Sequence, residues 1–446
     1  MIGGRALVAV AGVCAVLAGA AGQASADSSV PYWKPGGEAV AGSAVSTEAP
    51  PLAAGSTYRD TINNDVTKYY AVTLDAKSSA YLSVFALPPP GTKVEFPDDM
   101  RLILDDSAGN RCDSADVRFG TDSTGRPVGS YVQRTIEPNG RCQEAGQYNL
   151  LVSRGDSAGS DQRAWPLEIR YMPEPGLKTG AAQGPVVVND SASPAPVTGT
   201  PQKAQGGVSP DTAVGVSTGV WEDAVRPGET RFYKVPVNWG QRVFLVADFA
   251  NTETTKFGVV GQGVRVEAYN PARGLVESGS ATYMGDAASV RLGTVRVSYA
   301  NRTSDDAAVA MMRFAGWYYF AVSVDQDVAG FITGSVPVRL AVEVQGTAIF
   351  GPGYDGDAAK AGFGVTGTTG TSGTRGTVAA SGGTGGGGGS ADGTVGSQTV
   401  SAATGGPDSA LRAVGFTALG TGTVLVLWLV VWAIAARRRQ PTDAAW

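Results

Sequence analysis

The sequence predicts an all-β chain: two tandem antiparallel β-sandwiches, then a disordered Gly-rich stalk and one C-terminal transmembrane helix. Three observations carry this. Blocks of sequence recur in the same order, the first at an offset of 163 residues and the last at 170, which signals two copies of one domain. Within each block apolar residues alternate with period two, as half-buried strands require. Near the C-terminus, the 24 residues Ala413 to Ala436 carry no charge, enough at about 1.5 Å per residue to cross a hydrocarbon core of about 30 Å.

Residues 1–26 run from Arg5 through the apolar stretch Ala6 to Ala21 into Ala24-Ser25-Ala26, a signal peptide with cleavage expected between Ala26 and Asp27. Residues 27–52 are expected to be an extended N-terminal segment, and 53–173 the first sandwich. In it, Thr67-Lys68-Tyr69-Tyr70-Ala71-Val72-Thr73-Leu74 aligns without a gap on Thr230-Arg231-Phe232-Tyr233-Lys234-Val235-Pro236-Val237 of the second copy. Further on, Ala145-Gly146-Gln147-Tyr148-Asn149-Leu150-Leu151-Val152 matches Ala315-Gly316-Trp317-Tyr318-Tyr319-Phe320-Ala321-Val322. The turns Asp106-Ser107-Ala108-Gly109 and Asn270-Pro271-Ala272-Arg273 correspond as well. Gly, Asp, Asn and Pro between short alternating strands predict antiparallel sandwiches.

The stretch 174–212 is Pro- and Gly-rich and reads as an interdomain linker. The second sandwich, 213–350, places Pro236 where it must lie on an edge or at a bulge. One short helix is expected at Asp305 to Arg313, capped by Ser304. Residues 351–411 read as the stalk, since 20 of the 60 residues from Gly351 to Ala410 are glycine; a coil of that length has an r.m.s. span on the order of 40 Å. The membrane helix is placed at 412–436. Arg437, Arg438 and Arg439 put the tail 437–446 in the cytoplasm by the positive-inside rule. Ser401-Ala402-Ala403-Thr404-Gly405 sits where a sortase signal would stand but lacks its leucine, so permanent anchoring is the expectation.

The composition excludes several chemistries. The chain has no histidine and only three cysteines, so it has no Ser-His-Asp or Cys-His catalysis, no histidine metal ligand and no all-cysteine zinc site. Gly215-Val216-Ser217-Thr218-Gly219 spells a nucleophile-elbow pattern without a histidine to activate the serine. The acidic pairs Asp98-Asp99, Asp105-Asp106 and Asp305-Asp306 read as solvated turn residues rather than calcium ligands. No catalytic residue, metal or cofactor is expected. Cys112 and Cys142, the cysteines outside the leader, predict a disulfide in the first copy. Between Asp27 and Leu411 there are 30 basic and 39 acidic residues, a net negative balance that argues against nucleic acid as a partner.

The block order resembles the bacterial pre-peptidase C-terminal domain. The opening is best kept in Gly228-Glu229-Thr230-Arg231-Phe232-Tyr233 and the closing in Ala145-Gly146-Gln147-Tyr148-Asn149-Leu150-Leu151-Val152. The resemblance implies jelly-roll-like sandwiches of the kind appended to secreted hydrolases, where they assist secretion or bind substrate. No protease domain is expected beside them here.

The copies differ on their outward faces. Trp317 and Tyr319 stand where the first copy has Gln147 and Asn149, and Phe232 and Trp239 replace Tyr69 and Ala76. Two readings follow: these four aromatics form an exposed ligand-binding face, or another part of the chain covers them. The expected function is non-catalytic binding or scaffolding at the cell surface, with a cell-wall glycan or a surface or membrane protein as partner. The alternative is a tether for a separately encoded enzyme.

Overall fold

The computed structural model describes residues 35–95, 98–119, 124–155, 159–181, 184 and 197–365. The expected signal peptide with Ala26 and Asp27, the Ser401 to Gly405 motif, the segment expected to cross the membrane and Arg437 to Arg439 lie outside the described residues. Among the described residues no helix is long and apolar enough to cross a membrane.

The first copy contributes β1 (Glu38–Ala39), β2 (Pro51–Leu52), β3 (Thr57–Ile62), β4 (Val66–Leu74) and β5 (Ser79–Ala86). It continues with β6 (Asp99–Asp106), β7 (Arg111–Arg118), β8 (Val128–Arg134), β9 (Gly146–Arg154) and β10 (Trp165–Glu174). These form two five-stranded sheets, ordered β1-β3-β10-β5-β8 and β2-β4-β9-β6-β7. The second copy has β11 (Gln202–Lys203), β12 (Val214–Gly215), β13 (Gly219–Val225), β14 (Thr230–Val237) and β15 (Arg242–Phe249). Then come β16 (Val260–Tyr269), β17 (Leu275–Tyr283), β18 (Ala288–Gly293), β19 (Gly316–Val324) and β20 (Val336–Gln345). Its sheets are ordered β11-β13-β20-β15-β18 and β12-β14-β19-β16-β17, the same topology with each strand moved on by ten. Pairing is antiparallel throughout except for the two-residue strands β1, β2, β11 and β12, which join their sheets in parallel.

Alternation builds each core. Tyr70, Val72 and Leu74 point between the sheets of the first copy with Leu102, Leu104, Leu150 and Ile169. Tyr233, Val235 and Val237 do the same in the second with Val266, Phe320 and Leu340. A buried polar device repeats too. Tyr70 Oη donates to Asp60 at 2.7 Å and Tyr233 Oη to Asp223 at 2.6 Å. The same carboxylates accept the backbone N–H of Gly42 and Gly206, both at 2.8 Å. A Cβ at either glycine would come within 2.7 to 2.8 Å of the tyrosine ring carbon Cζ, so the close approach requires glycine there. Burial and the adjacent carboxylate push both tyrosine hydroxyls well above their ordinary range.

These glycines extend the repeat upstream of the aligned blocks. Part of the segment expected as extended (27–52) supplies β1 and β2. Part of the stretch expected as linker (174–212) supplies β11, with buried Ala204, Ser209 and Pro210. The first residues of the expected stalk (351–411) also pack against the sandwiches: Phe363 is buried, and Lys178 N–H donates to Gly353 C=O at 2.8 Å. Composition marked these pieces as loose; their backbone groups instead find partners on the sandwich edges.

The helix is shorter than expected. It spans Ala307–Met311 (α1), and its cap is Asp306, not Ser304. The Asp306 carboxylate accepts from Ala308 N and Val309 N at 2.9 and 3.1 Å, satisfying two N–H groups of the first turn. Pro236 takes the expected edge position: β12 reaches only as far as Lys234, leaving Pro236 with no strand on that side. The predicted disulfide joins Cys112 on β7 to Cys142, with Cα atoms 5.7 Å apart.

Candidate functional site: the interface between the two sandwiches

The first copy's β1-β3-β10-β5-β8 sheet turns its outer face to the outer face of the second copy's β12-β14-β19-β16-β17 sheet. Strand β5 shows the consequence, since all eight of its residues are buried, whereas β15 alternates. Phe85 leaves β5 to meet Phe232 and Tyr269, with ring centroids 6.3 and 5.1 Å apart; Leu87, Ala213 and Ala321 complete this cluster. Tyr81 meets Phe314 at 5.0 Å and both Tyr131 and Phe363 at 5.6 Å. Edge and tilted geometries of this kind add about 0.5–1.5 kcal/mol per pair beyond buried area. Gly129 makes room: a Cβ there would lie 2.4 Å from the Phe85 ring.

Charges are buried with the rings. Glu168 on β10 pairs with Arg273 at 2.7 Å, both side chains fully buried. Its oxygens also accept Gly36 N–H at 3.2 Å and Asp211 N–H at 3.1 Å. Arg273 occupies a left-handed turn position, φ 69°, where the first copy has Gly109 at φ 83°; a non-glycine residue there stores strain. Glu174 accepts from Tyr81 Oη at 2.9 Å, Tyr354 Oη at 2.8 Å and Arg302 at 2.9 Å. Arg313 donates to Tyr131 Oη and Gln133 Oε1, both at 2.6 Å, and Arg126 pairs with Glu267 at 3.1 Å. Burial, and next the neighbouring carboxylate, push the Tyr81 and Tyr269 hydroxyls far above their ordinary values, so both are neutral at physiological pH. Such pairs add little over an apolar contact but fix one docking orientation, because any other leaves a buried charge unpaired.

The four aromatics expected as a ligand-binding face are not brought together as one. Phe232 is 0% exposed inside the interface, and half-buried Tyr319 packs on the same cluster, 5.8 Å from the Arg273 guanidinium. Trp317 is half-buried, with Lys234 Nζ 5.3 Å from its ring centroid. Trp239 is 9% exposed and lies elsewhere, beside Tyr299 and Tyr354 at 6.5 Å each. Gly351 covers it so closely that a Cβ there would stand 2.2 Å from the indole nitrogen. Sequence reasoning missed the partners Tyr81, Phe85, Tyr131, Phe314 and Phe363. The signal was present in β5: Ala80-Tyr81-Leu82-Ser83-Val84-Phe85-Ala86 is a nearly continuous apolar run, the mark of a strand covered on both faces.

The acidic pairs have structural tasks. Asp98 is buried 3.6 Å from Arg154, Asp105 lies 3.8 Å from Arg111, Asp106 accepts the N–H groups of its own turn, and Asp306 caps α1. Among the described residues no three His, Cys, Asp or Glu side chains gather as a metal site. In the Gly215 to Gly219 motif, Ser217 C=O accepts from Trp221 Nε1 at 2.9 Å.

Hollows open beside the interface and on the first copy. One, of about 540 Å³, is lined by Asp75, Lys77, Ser78, Ser79, Ile136, Pro175, Gly176, Leu177, Tyr299 and Asp355. Another, of about 400 Å³, adjoins the disulfide and includes Asp113, Arg134, Glu137 and Arg141. Apolar side chains also reach solvent at one tip of the second sandwich, where Phe257 is 88% exposed and Val259 and Met284 stand beside it in the chain register.

No protein-family model matches this sequence. No curated protein matches it either. Solved structures similar to the chain include the pre-peptidase C-terminal domain of collagenase from Bacillus anthracis, 16% identical, covering 28% of this chain and 94% of that one, TM-score 0.18. The tandem CBM51 modules of a family 98 glycoside hydrolase from Streptococcus pneumoniae are 8% identical over 65% of this chain and 83% of that one, TM-score 0.18. The CBM22-1-CBM22-2 tandem domain from Paenibacillus barcinonensis Xyn10C is 12% identical over 65% and 86%, TM-score 0.18. The tandem-sandwich assignment itself stands on the strand pairing.

Proposed function

We propose that this chain is a non-catalytic cell-surface scaffolding and binding protein that presents its two sandwiches outside the membrane as one rigid body. The observation that carries it is the burial of Phe232, Phe85, Tyr81 and the Glu168–Arg273 pair between the copies. Linked modules that only shared a tether would leave such groups in water. The signal peptide, the uncharged segment Ala413 to Ala436 and Arg437 to Arg439 support a single-pass anchor with the sandwiches outside. The experiment is calorimetry of the full chain in detergent beside protease accessibility on whole cells. One unfolding transition for both sandwiches, with cleavage from outside, is the expected result. Two independent transitions would overturn the rigid body, and protection of the sandwiches in whole cells would overturn the topology.

A second reading, a tether for a separately encoded surface enzyme, is favoured by one feature, the exposed tip of Phe257, Val259 and Met284. A phenyl ring, a valine and a methionine in water at a loop tip suit a protein contact. Co-purification of a stoichiometric enzyme with the native chain, lost in the variant Phe257→Ser with Met284→Ser, is the outcome that reading requires.

A further inference from the structure

The hollow of about 540 Å³ is built by segments from three parts of the chain. The first copy gives the turn after β4, Asp75 to Ser79, with Ile136 and the residues Pro175 to Leu177. The second copy gives Tyr299, and the segment beyond β20 gives Asp355. That segment is fastened: Asp355 N–H donates to Gly176 C=O at 2.7 Å, Lys178 N–H donates to Gly353 C=O at 2.8 Å, and Tyr354 Oη reaches Glu174. The walls are therefore fixed where sandwich meets sandwich, a common place for ligand sites, and the volume falls within their usual range of roughly 300–1,000 Å³.

The lining defines the ligand. Asp75 Oδ1 accepts Lys77 N–H at 2.7 Å and Ser78 N–H at 2.6 Å, and Oδ2 accepts the Ser78 hydroxyl at 3.0 Å. A carboxylate has about four acceptor positions, so Asp75 is held in place with capacity left for a ligand hydroxyl. Exposed Asp355 offers a second acceptor and Lys77 a donor. Half-buried Tyr299 supplies an apolar ring, backed by the Arg302 guanidinium at 3.3 Å and by Tyr354 at 6.1 Å. Fixed acceptors, one cation and a braced aromatic ring suit a neutral polyhydroxylated ligand, whose hydroxyls donate and accept while its C–H face lies on the ring. We propose that this cleft is a binding site for a short neutral oligosaccharide segment, with Asp75, Lys77, Asp355 and Tyr299 as its contacts.

The inference rests on the rigid two-sandwich reading, because both copies form the walls; that reading fails separately, in calorimetry. The binding experiment uses the full chain in detergent on immobilised neutral glucan, mannan, galactan and arabinan. The expected result is retention on at least one of them, weakened tenfold or more by Lys77→Ala with Asp355→Ala and by Asp75→Asn, which keeps an acceptor for its turn. Arg339→Ala, an exposed position on β20 outside the cleft lining, is expected to bind like the parent. No retention on any of the four polymers overturns the proposal. So does retention that survives the double variant, or that is lost only in Arg339→Ala.

Discussion

Strands β5 and β15 hold the same position in the two copies, yet only β5 is covered on both faces. At an offset of 163, Tyr81 corresponds to Phe244 and Phe85 to Asp248; the strand register makes Glu168 the counterpart of Arg339. The opposite sheets differ in the reverse sense, with Phe232 for Tyr69, Tyr319 for Asn149 and Arg273 for Gly109. Each copy thus contributes a different face, so the contact is heterologous rather than two-fold. One topology carries both a docking face and a solvent face on each copy. Which is which is set by a few outward residues.

Breaking the interface charge is expected to have the largest effect. Glu168→Ala leaves buried Arg273 with only Asp211, 3.9 Å away, as a carboxylate neighbour, and removing the close partner of such a pair typically destabilises by about 3–5 kcal/mol. Arg339→Ala, the same position in the second copy but exposed, should change stability by no more than about 0.5 kcal/mol. Urea unfolding of the two variants checks this. Equal effects would mean that the faces are equivalent and that the interface is not formed in solution.

The next contrast is covalent. Only the first copy has a disulfide, and it closes a loop of 30 residues, for which chain entropy gives about 3.5 kcal/mol. The double variant Cys112→Ser, Cys142→Ser should therefore lower the unfolding free energy by about that amount, read as a fall in the urea midpoint. If the sandwiches unfold as one body, the second copy's Trp317 and Trp221 should report the same shift by fluorescence. A shift confined to first-copy signals would separate the copies.

Most of the fold is legible before any coordinates, and residue chemistry explains what is not. Period-two blocks such as Tyr70, Val72 and Leu74 locate the core strands because one face must leave water. The disulfide follows from two cysteines alone. Strands β1 and β11 are only two residues long and sit among Gly and Pro, so no periodicity announces them. Phe363 stands between two glycines in a Gly-rich stretch, and only tertiary packing reveals its socket. Of the four outward aromatics, the contrast with Gln147 and Asn149 marks a special face, and the same contrast suits a ligand or a neighbouring domain. The deciding residues, Tyr81 and Phe85, are on the other copy, where a local pattern does not connect them to Phe232.

The smallest expected effect tests the strain. Gly109 and Arg273 close equivalent turns: Gly109 N–H donates to Asp106 C=O at 3.0 Å, and Arg273 N–H to Asn270 C=O at 2.8 Å. Both have positive φ, which disfavours a side chain by roughly 1 kcal/mol. A Cβ at Gly109 meets nothing within 4 Å, so Gly109→Ala should cost only that conformational term, read as a small drop in urea midpoint with an unchanged slope. Arg273→Gly relieves the same strain yet strips Glu168 of its cation, and the net should be destabilising by several times more. If Arg273→Gly instead stabilises the protein, the ion pair does not offset the left-handed turn, and the arginine would need another reason to be there.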